Sequence, residues 1–235
     1  MPKYLDTEGL AYLWGKIQDG FVPQEEGKGL SSNDFTDEMK QAILDLQYVE
    51  IAISSFTNNK NTVEMGSKVE EVVLSWSLNK VPAALKVDNA AVDVNAKTTT
   101  LTGQSIKANK TFTLSATDER SKTVTKTTSI SFQNGVYWGV GAADAAIDSA
   151  FVLGLTKGLQ ASKAKTFTVN AGAGKHIYYA IPARYGTPTF NVGGFDGGFN
   201  KVATFDFTNA SGYTESYDVY KSTNANLGST TVKAS

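Results

Sequence analysis

Two amphipathic segments open the chain. Apolar side chains recur at helical spacing between Leu5 and Phe21, and Asp6 or Thr7 stands where it can cap the first turn. The pattern predicts a short helix whose apolar stripe is too narrow to form a core alone. Such a helix must pack on another part of the chain or on another subunit. Its apolar positions are Leu5, Leu10, Leu13, Trp14, Ile17 and Phe21.

A second helix is predicted after a polar linker that contains proline, glycine and serine. Asn33 or Asp34 precedes it, and the acids after Thr36 favour its N-terminal end. Its apolar positions follow the alternating spacing of four and three residues that lets identical helices pair or form a trimer. A competing period-two pattern begins at Tyr48, so we predict that the helix ends near Leu46. The predicted oligomerisation residues are Phe35, Met39, Ala42 and Leu46.

Short strands separated by turn signals follow the helices. In the run VEEVVLSWSLNK, Val72, Leu74, Trp76 and Leu78 occupy alternate positions, which places them on one face of a strand. Trp76 is the predicted centre of a two-sheet core, and about seven strands fit an immunoglobulin-like sandwich over residues 48–134. The further strands predicted here are Ala84–Val87, Ala91–Val94, Thr98–Leu101, Lys110–Ala116 and Lys122–Phe132.

The last part of the chain, from Gly135, predicts a second β module. The segment with Ile147 and Phe151 suits a short helix or a stretch under a loop, and strand patterns return from Lys165 with glycine-rich turns between them. The predicted fold class is mainly β, with an N-terminal helical segment, an immunoglobulin-like β-sandwich and a second C-terminal β module. The predicted domains are a helical attachment or oligomerisation region (1–46), the sandwich (48–134) and the C-terminal module (135–235).

Composition and charge exclude several functional classes. The 22 Lys and Arg nearly balance the 23 Asp and Glu, and Arg120 and Arg184 are the only arginines, so we expect no nucleic-acid partner. The absence of cysteine excludes disulfides, thiolate zinc sites and cysteine nucleophiles. No run of 18 apolar residues predicts a membrane-spanning helix, and the first twenty residues lack the apolar core of a secretory signal. We therefore expect a protein made in the cytoplasm without membrane insertion.

Candidate catalytic and ligand-binding motifs are weak. The segment NAGAGKH departs from a phosphate-binding loop at Val169 and His176, and it predicts a turn between strands. His176 is the only histidine, so a metal site would need three copies around a trimer axis; the alternative is a partly exposed histidine at a strand end. Paired acids across a sugar cleft would make a glycosidase, but surface acids are commoner than catalytic pairs. The acids considered are Asp144, Asp148, Asp196, Asp206, Glu215 and Asp218.

Aromatic rings near the glycine-rich segment GGFDGGF are the candidates for surface binding, because such rings stack on sugars or anchor protein interfaces. The alternative is that the glycines form turns while Phe195 and Phe199 fill the core. We predict no catalytic, cofactor-binding or metal-binding residues, and hence no enzyme. The surface-binding candidates are Tyr178, Tyr179, Tyr185, Phe195 and Phe199.

One motif resembles a known class of proteins. Within Glu25–Ile43, the sequence GKGLSSNDFT resembles the linker-and-helix motif GKGLS-x-ND-[FY]-T that recurs in bacteriophage fibre and tail-appendage proteins. The opening KYLDTEGLAYLWGKI is similar to the segment that often precedes this motif. The stretch from Phe56 to Leu85 resembles the start of an immunoglobulin-like domain common in phage tail proteins, and the C-terminal segments resemble a β module of the same proteins.

This resemblance implies a phage or prophage virion structural protein that forms a homotrimer, assembles with other virion proteins and attaches to a glycan or protein of the bacterial surface. It implies location in the virion tail, and it transfers no receptor-binding residue and no cofactor. A bacterial carbohydrate-binding or adhesive module without catalysis is the second interpretation. A depolymerising enzyme is the third, favoured only if paired acids line a cleft beside aromatic rings.

Overall fold

The computed structural model describes residues 6–20 and 36–235, and its chain divides into two compact units, Met1–Glu50 and Ile51–Ser235. Helices α1 (Thr7–Gly20) and α2 (Asp37–Gln47) belong to the first unit. The second unit, described in full, contains sixteen strands, the short helix α3 (Ser149–Leu153) and a 3₁₀ turn. The protein is therefore mainly β with an N-terminal helical segment, as the sequence predicts.

The two N-terminal helices begin at capping side chains. An Asp6 carboxylate oxygen accepts a hydrogen bond from the backbone N–H of Gly9 at 2.7 Å, and the Thr36 hydroxyl accepts one from Met39 at 3.2 Å. The helix end predicted near Leu46 is confirmed, since α2 ends one residue later. Phe35, Asn33 and Asp34 lie outside the described residues. Neither of these helices, nor α3, is long and apolar enough to cross a membrane.

A two-sheet sandwich follows the helices. Strand β3 lies between β1 and β6 in one sheet; β5, β4, β7 and β8 follow one another in the other, and β2 pairs in parallel with β8. This arrangement is that of an immunoglobulin-like sandwich. The strands are β1 (Ile53–Asn58), β2 (Thr62–Glu64), β3 (Val72–Leu78), β4 (Ala84–Val87), β5 (Ala90–Ala91), β6 (Thr98–Leu101), β7 (Lys110–Thr117) and β8 (Thr123–Ala142).

Alternating apolar residues from both sheets fill the sandwich core, and the prediction for Trp76 is confirmed. Its side chain is 4% exposed, and the indole N–H donates a hydrogen bond to the Ala96 carbonyl at 2.9 Å. The bond satisfies the ring's polar edge while the rest of the indole packs near Phe56. The predicted strands β4 and β6 have the predicted ends, whereas the strand predicted at Ala91–Val94 is only the two-residue β5.

The C-terminal strands form two further sheet layers. Strands β14, β15, β11 and β8 are neighbours in one sheet, while β10, β16, β12 and β13 form the other. Apolar side chains between these layers form one core, and a second core lies on the opposite face of β11. The strands are β9 (Thr156–Gln160), β10 (Lys165–Ala171), β11 (Lys175–Pro182), β12 (Phe190–Val192), β13 (Phe195–Asp196), β14 (Phe199–Thr208), β15 (Thr214–Ser222) and β16 (Gly228–Ala234).

One strand is common to both halves of the β unit. Residues 123–130 of β8 pair with β7, and residues 137–142 of the same strand pair with β11. The predicted boundary between residues 134 and 135 therefore falls inside a continuous strand. The division into two modules stays a prediction about independent folding, since residues 51–235 form one compact unit.

Side-chain contacts also join the two halves. The Asn209 amide, in the turn between β14 and β15, donates a hydrogen bond to the Met65 carbonyl at 2.8 Å. Lys157 on β9 forms a 2.9 Å ion pair with Glu64 at the end of β2. A Cβ atom on Gly66 would lie 2.4 Å from the Cβ of Tyr213, so only glycine allows this close approach. Together these contacts hold both sandwiches in one arrangement.

Candidate functional site

The first candidate site is the exposed apolar surface of α2. No side chain of this helix is buried, and Met39 and Leu46 are 56% and 85% exposed. Ala42 is exposed on the same stripe. We call Met39, Ala42 and Leu46 the α2 seam. An isolated helix of 11 residues is marginal in water, so a partner for the seam would stabilise it. The assignment of the seam to oligomerisation stays a prediction.

Helix α1 presents a similar surface. Its large apolar side chains are exposed: Leu10, Tyr12, Leu13, Trp14 and Ile17. Exposed side chains of this size on a short helix are typical of a segment that packs on a partner. Both N-terminal helices thus present exposed apolar side chains within the described residues.

Tyr178 and Tyr179 are core residues, which corrects their assignment to a binding surface. Both are 0% exposed, because β11 is covered on both faces. The Tyr178 hydroxyl donates to the Ala142 carbonyl, and the Tyr179 hydroxyl donates to the Lys163 carbonyl, both at 2.6 Å. Burial raises the pKa of each phenol. These rings stabilise the sheet packing and are not available to a ligand.

Tyr185 and Phe199 are half-buried. The Tyr185 hydroxyl donates to the Gln160 carbonyl at 2.7 Å, and burial raises the pKa of this phenol. The ring of Phe199 stacks on Phe190 with 4.2 Å between centroids. One face of the Phe199 ring therefore packs on the core, in agreement with the alternative prediction that this residue fills the core.

Phe195 is the member of the predicted set that remains on the surface, with 81% exposure. It lies on the hairpin of β12 and β13, whose turn is Gly193–Gly194. Both glycines have positive φ, as a tight two-residue hairpin turn requires. The Asn191 amide donates to the Asp196 carboxylate at 2.7 Å, and its oxygen accepts from the Gly194 N–H at 3.1 Å. We call residues 191–198 the Phe195 hairpin.

Two clefts flank the Phe195 hairpin. The larger one, of about 780 Å³, is the Lys233 cleft; the smaller, of about 280 Å³, is the Leu227 cleft. The Lys233 cleft is lined by Pro188, Thr189, Phe190, Asn191, Asp196, Gly197, Phe199, Lys233 and Ser235. The Leu227 cleft is lined by Val192, Phe195, Asp196, Gly197, Gly198, Thr223, Asn224 and Leu227. Residues 223–227 were not among the sequence candidates. They follow β15, whose last residue Ser222 pairs with Phe199, and the Thr223 N–H donates to the Gly198 carbonyl at 2.9 Å.

Several of the six acids considered as catalytic candidates have structural contacts. Asp148 caps α3 by accepting from the Phe151 N–H at 2.8 Å. Glu215 pairs with Arg184 at 2.7 Å and also accepts a hydrogen bond from Asn134. Asp218 is buried and accepts from the Thr204 hydroxyl at 2.6 Å. Asp196 is the member of the set that lines the two clefts.

His176 and the NAGAGKH segment lie where β10 connects to β11. His176 is half-buried near the start of β11, with Nδ1 2.8 Å from the Ser222 carbonyl oxygen. The glycine-rich segment forms the turn from β10 to β11, where the Lys175 N–H donates to the Gly172 carbonyl. Within residues 6–20 and 36–235, no group of three or more His, Asp or Glu side chains is placed to hold a metal ion.

Comparisons with known proteins give little. No protein-family model matches the chain, and no curated protein is similar to it. A solved structure of the N-terminal eight immunoglobulin domains of Down Syndrome Cell Adhesion Molecule isoform 1.30.30 is similar over 77% of this chain and 26% of its own, with 7% identity and a TM-score of 0.24. A likeness this distant carries no argument about function.

Proposed function

We propose that the chain is a structural protein of a phage or prophage virion, of the tail-fibre or appendage type. In this role it assembles as a homotrimer through its N-terminal helices and carries the β unit as a spacer and attachment module. The observation that carries the proposal is the exposed α2 seam on a helix too short to be stable alone. The GKGLSSNDFT motif, which ends at the α2 N-cap Thr36, supports the same class of protein.

Self-association accounts for the exposed seam. The spacing of Met39, Ala42 and Leu46 matches one stripe of a coiled coil, where each side chain inserts between residues of a neighbouring identical helix. Burying a leucine in such a seam contributes roughly 1.5–3 kcal/mol, and three helices multiply the contribution. The seam is short, so the apolar surface of α1 is available to add to the contact.

The β unit suits a spacer. Its two sandwiches share β8 and are further joined by the Asn209–Met65 hydrogen bond and the Lys157–Glu64 ion pair. A shared strand resists bending between the halves, because bending would break ladder hydrogen bonds on both sides. The proposed role involves no catalysis, and the structural contacts of Asp148, Glu215 and Asp218 support that view.

Replacing Leu46 by aspartate is expected to dissociate the trimer. The substitution puts a charge into each of three seam positions, where no compensating partner is available. Light scattering of the full-length chain should show a mass of about three times 25.1 kDa for the unaltered protein and near 25.1 kDa for Leu46→Asp.

Leu44→Asp is the matched control for this experiment. Leu44 is also an exposed leucine of α2 (56%), but two residues of helix rotate it about 200° from Leu46, away from the seam. Both substitutions place the same charge in the same part of the helix, so their effects on helix propensity and on the helix dipole are alike. Equal masses for the two variants would contradict assembly through the seam.

A bacterial carbohydrate-binding or adhesive module is the second candidate. The exposed ring of Phe195 beside two clefts favours it. A full-length chain that stays monomeric at every concentration and still binds a glycan would favour this candidate over the virion protein.

A further inference from the structure

We propose that the Phe195 hairpin and the Leu227 cleft form a binding site for a neutral glycan, with a pyranose ring stacked on Phe195. The inference deepens the attachment part of the proposed function, on which its biological meaning rests. It assigns the ligand class and the residues that contact it.

The Phe195 ring is exposed on an ordered hairpin. Within residues 51–235, all of which are described, Phe195 is the one exposed aromatic side chain, and it is not buried in the neighbouring core. The hairpin that carries it is fixed by the Asn191–Asp196 hydrogen bond, by the Gly194 N–H to Asn191 bond and by the Gly197 N–H to Phe190 carbonyl bond at 2.7 Å. Because the backbone that carries the ring is already ordered, a ligand need not order the hairpin when it binds.

Polar residues line the cleft beside the ring. Thr223, Asn224 and Asp196 line the same cleft of about 280 Å³, and their side chains carry a hydroxyl, an amide and a carboxylate. Thr223 and Asn224 are exposed, and neither side chain has a hydrogen-bond partner within the described part of the chain. Asp196 uses one oxygen, Oδ1, to accept from Asn191. Donors and acceptors thus remain for a ligand.

These groups match the two chemical surfaces of a pyranose. A sugar ring has an apolar C–H face, which packs on an aromatic ring, and a rim of hydroxyls, which donate to carboxylates and exchange hydrogen bonds with amides. Leu227 and Val192 also line the cleft and add apolar surface to it. The cleft volume is near the lower end, roughly 300 Å³, of ligand sites, which suits one or two sugar units.

Charge and area favour a neutral glycan over the alternatives. No lysine or arginine lines the Leu227 cleft, all of whose residues are described, while the Asp196 carboxylate repels anions. Acidic sugars are therefore disfavoured. A stable protein interface covers about 800 Å² on each partner and is usually anchored by several aromatic or arginine side chains, whereas Phe195 is the one exposed aromatic side chain within residues 51–235.

The test is saturation-transfer NMR on the full-length chain with methyl glycosides of glucose, galactose, mannose, N-acetylglucosamine, N-acetylgalactosamine and glucuronic acid. Each is used at about 10 mM, which populates a site of millimolar affinity. We expect transfer to the ring C–H protons of at least one neutral glycoside. Phe195→Ala should weaken that binding at least about tenfold, and Asp196→Asn should weaken it less. Val202→Ala, an exposed apolar residue of β14 outside both clefts, should leave it unchanged.

The outcomes separate this inference from the proposed function. No transfer from any neutral glycoside, or transfer that Phe195→Ala leaves intact, overturns the glycan site and leaves the ring to a protein partner. Preference for the glucuronide overturns the neutral class. The mass of the same samples is measured in parallel: a trimer without glycan binding removes only the site, and a monomer with Phe195-dependent binding removes only the assembly.

Discussion

Replacing Tyr179 by alanine is expected to lower the free energy of unfolding by about 3–5 kcal/mol, the usual cost of removing a buried aromatic ring. The ring is fully buried, stacks on Phe167 with 5.5 Å between centroids and meets Phe190 edge-on at 5.7 Å. The substitution leaves a cavity between the two C-terminal sheets. It also removes the phenol that donates a hydrogen bond to the Lys163 carbonyl. Urea unfolding at a fixed protein concentration measures the loss.

Two further variants make this experiment decisive. Tyr179→Phe keeps the ring and removes only the hydroxyl, so it should cost about 1 kcal/mol. Phe195→Ala should change the stability by less than about 0.5 kcal/mol, because the ring is exposed. A mild effect of Tyr179→Ala together with a large effect of Phe195→Ala would reverse the assignment of these rings to core and surface.

Stability is expected to fall steeply above about pH 10, where tyrosine ionises in the unfolded chain. Burial raises the folded-state pKa of the five buried phenols, Tyr137, Tyr178, Tyr179, Tyr217 and Tyr220, as it does that of the half-buried Tyr185. For Tyr137 the nearby Glu64 carboxylate adds to the effect of burial. The unfolded chain therefore releases these protons at a lower pH than the folded chain.

The sign of the pH effect follows from this difference. A raised folded-state pKa contributes stability that is fully present below the unfolded pKa and is lost as the pH rises through the folded pKa. Each phenol that ionises only on unfolding lowers the stability by about 1.4 kcal/mol per pH unit in that window. Several such groups together should unfold the protein within one to two pH units above about pH 10.

Phenolate absorbance and circular dichroism, followed together from about pH 8 to pH 12, measure this transition. We expect the phenols that the fold leaves exposed to ionise first and without loss of the β signal. The buried phenols should ionise together with unfolding. Ionisation of all the phenols near pH 10 with the β signal intact would contradict the burial of the five rings.

Apolar and polar residues alternate along the strands of the first sandwich, and this pattern made most of those strands predictable. Val72, Leu74 and Trp76 are buried and lie on one face of β3, so period two marks the core directly. The second set of strands was harder to assign. Strand β11 is buried from Ile177 to Pro182 on both faces, and a doubly covered strand has a continuous apolar run rather than an alternating one. Tyr178 and Tyr179 lie in that run, which was the available signal that both are core residues.

The continuity of β8 was concealed by the dipeptide Asn134–Gly135, which is also a common turn signal. In the fold, a Cβ atom on Gly135 would lie 2.6 Å from the Tyr137 ring, so the glycine makes room for an aromatic side chain within a strand. Strand β16 has little strand pattern of its own, because GSTTVKA has few apolar residues. Its place depends on long-range pairing with β10 and β12, which no local pattern reports.

Membership of a virion is the central claim, and mass spectrometry of gradient-purified particles from an infected or induced culture that produces this chain tests it most directly. We expect the chain to sediment with the particles, to stay with the tails when heads and tails are separated, and to be present in a copy number divisible by three. Particles that lack the chain while it remains in the unsedimented lysate would contradict the claim.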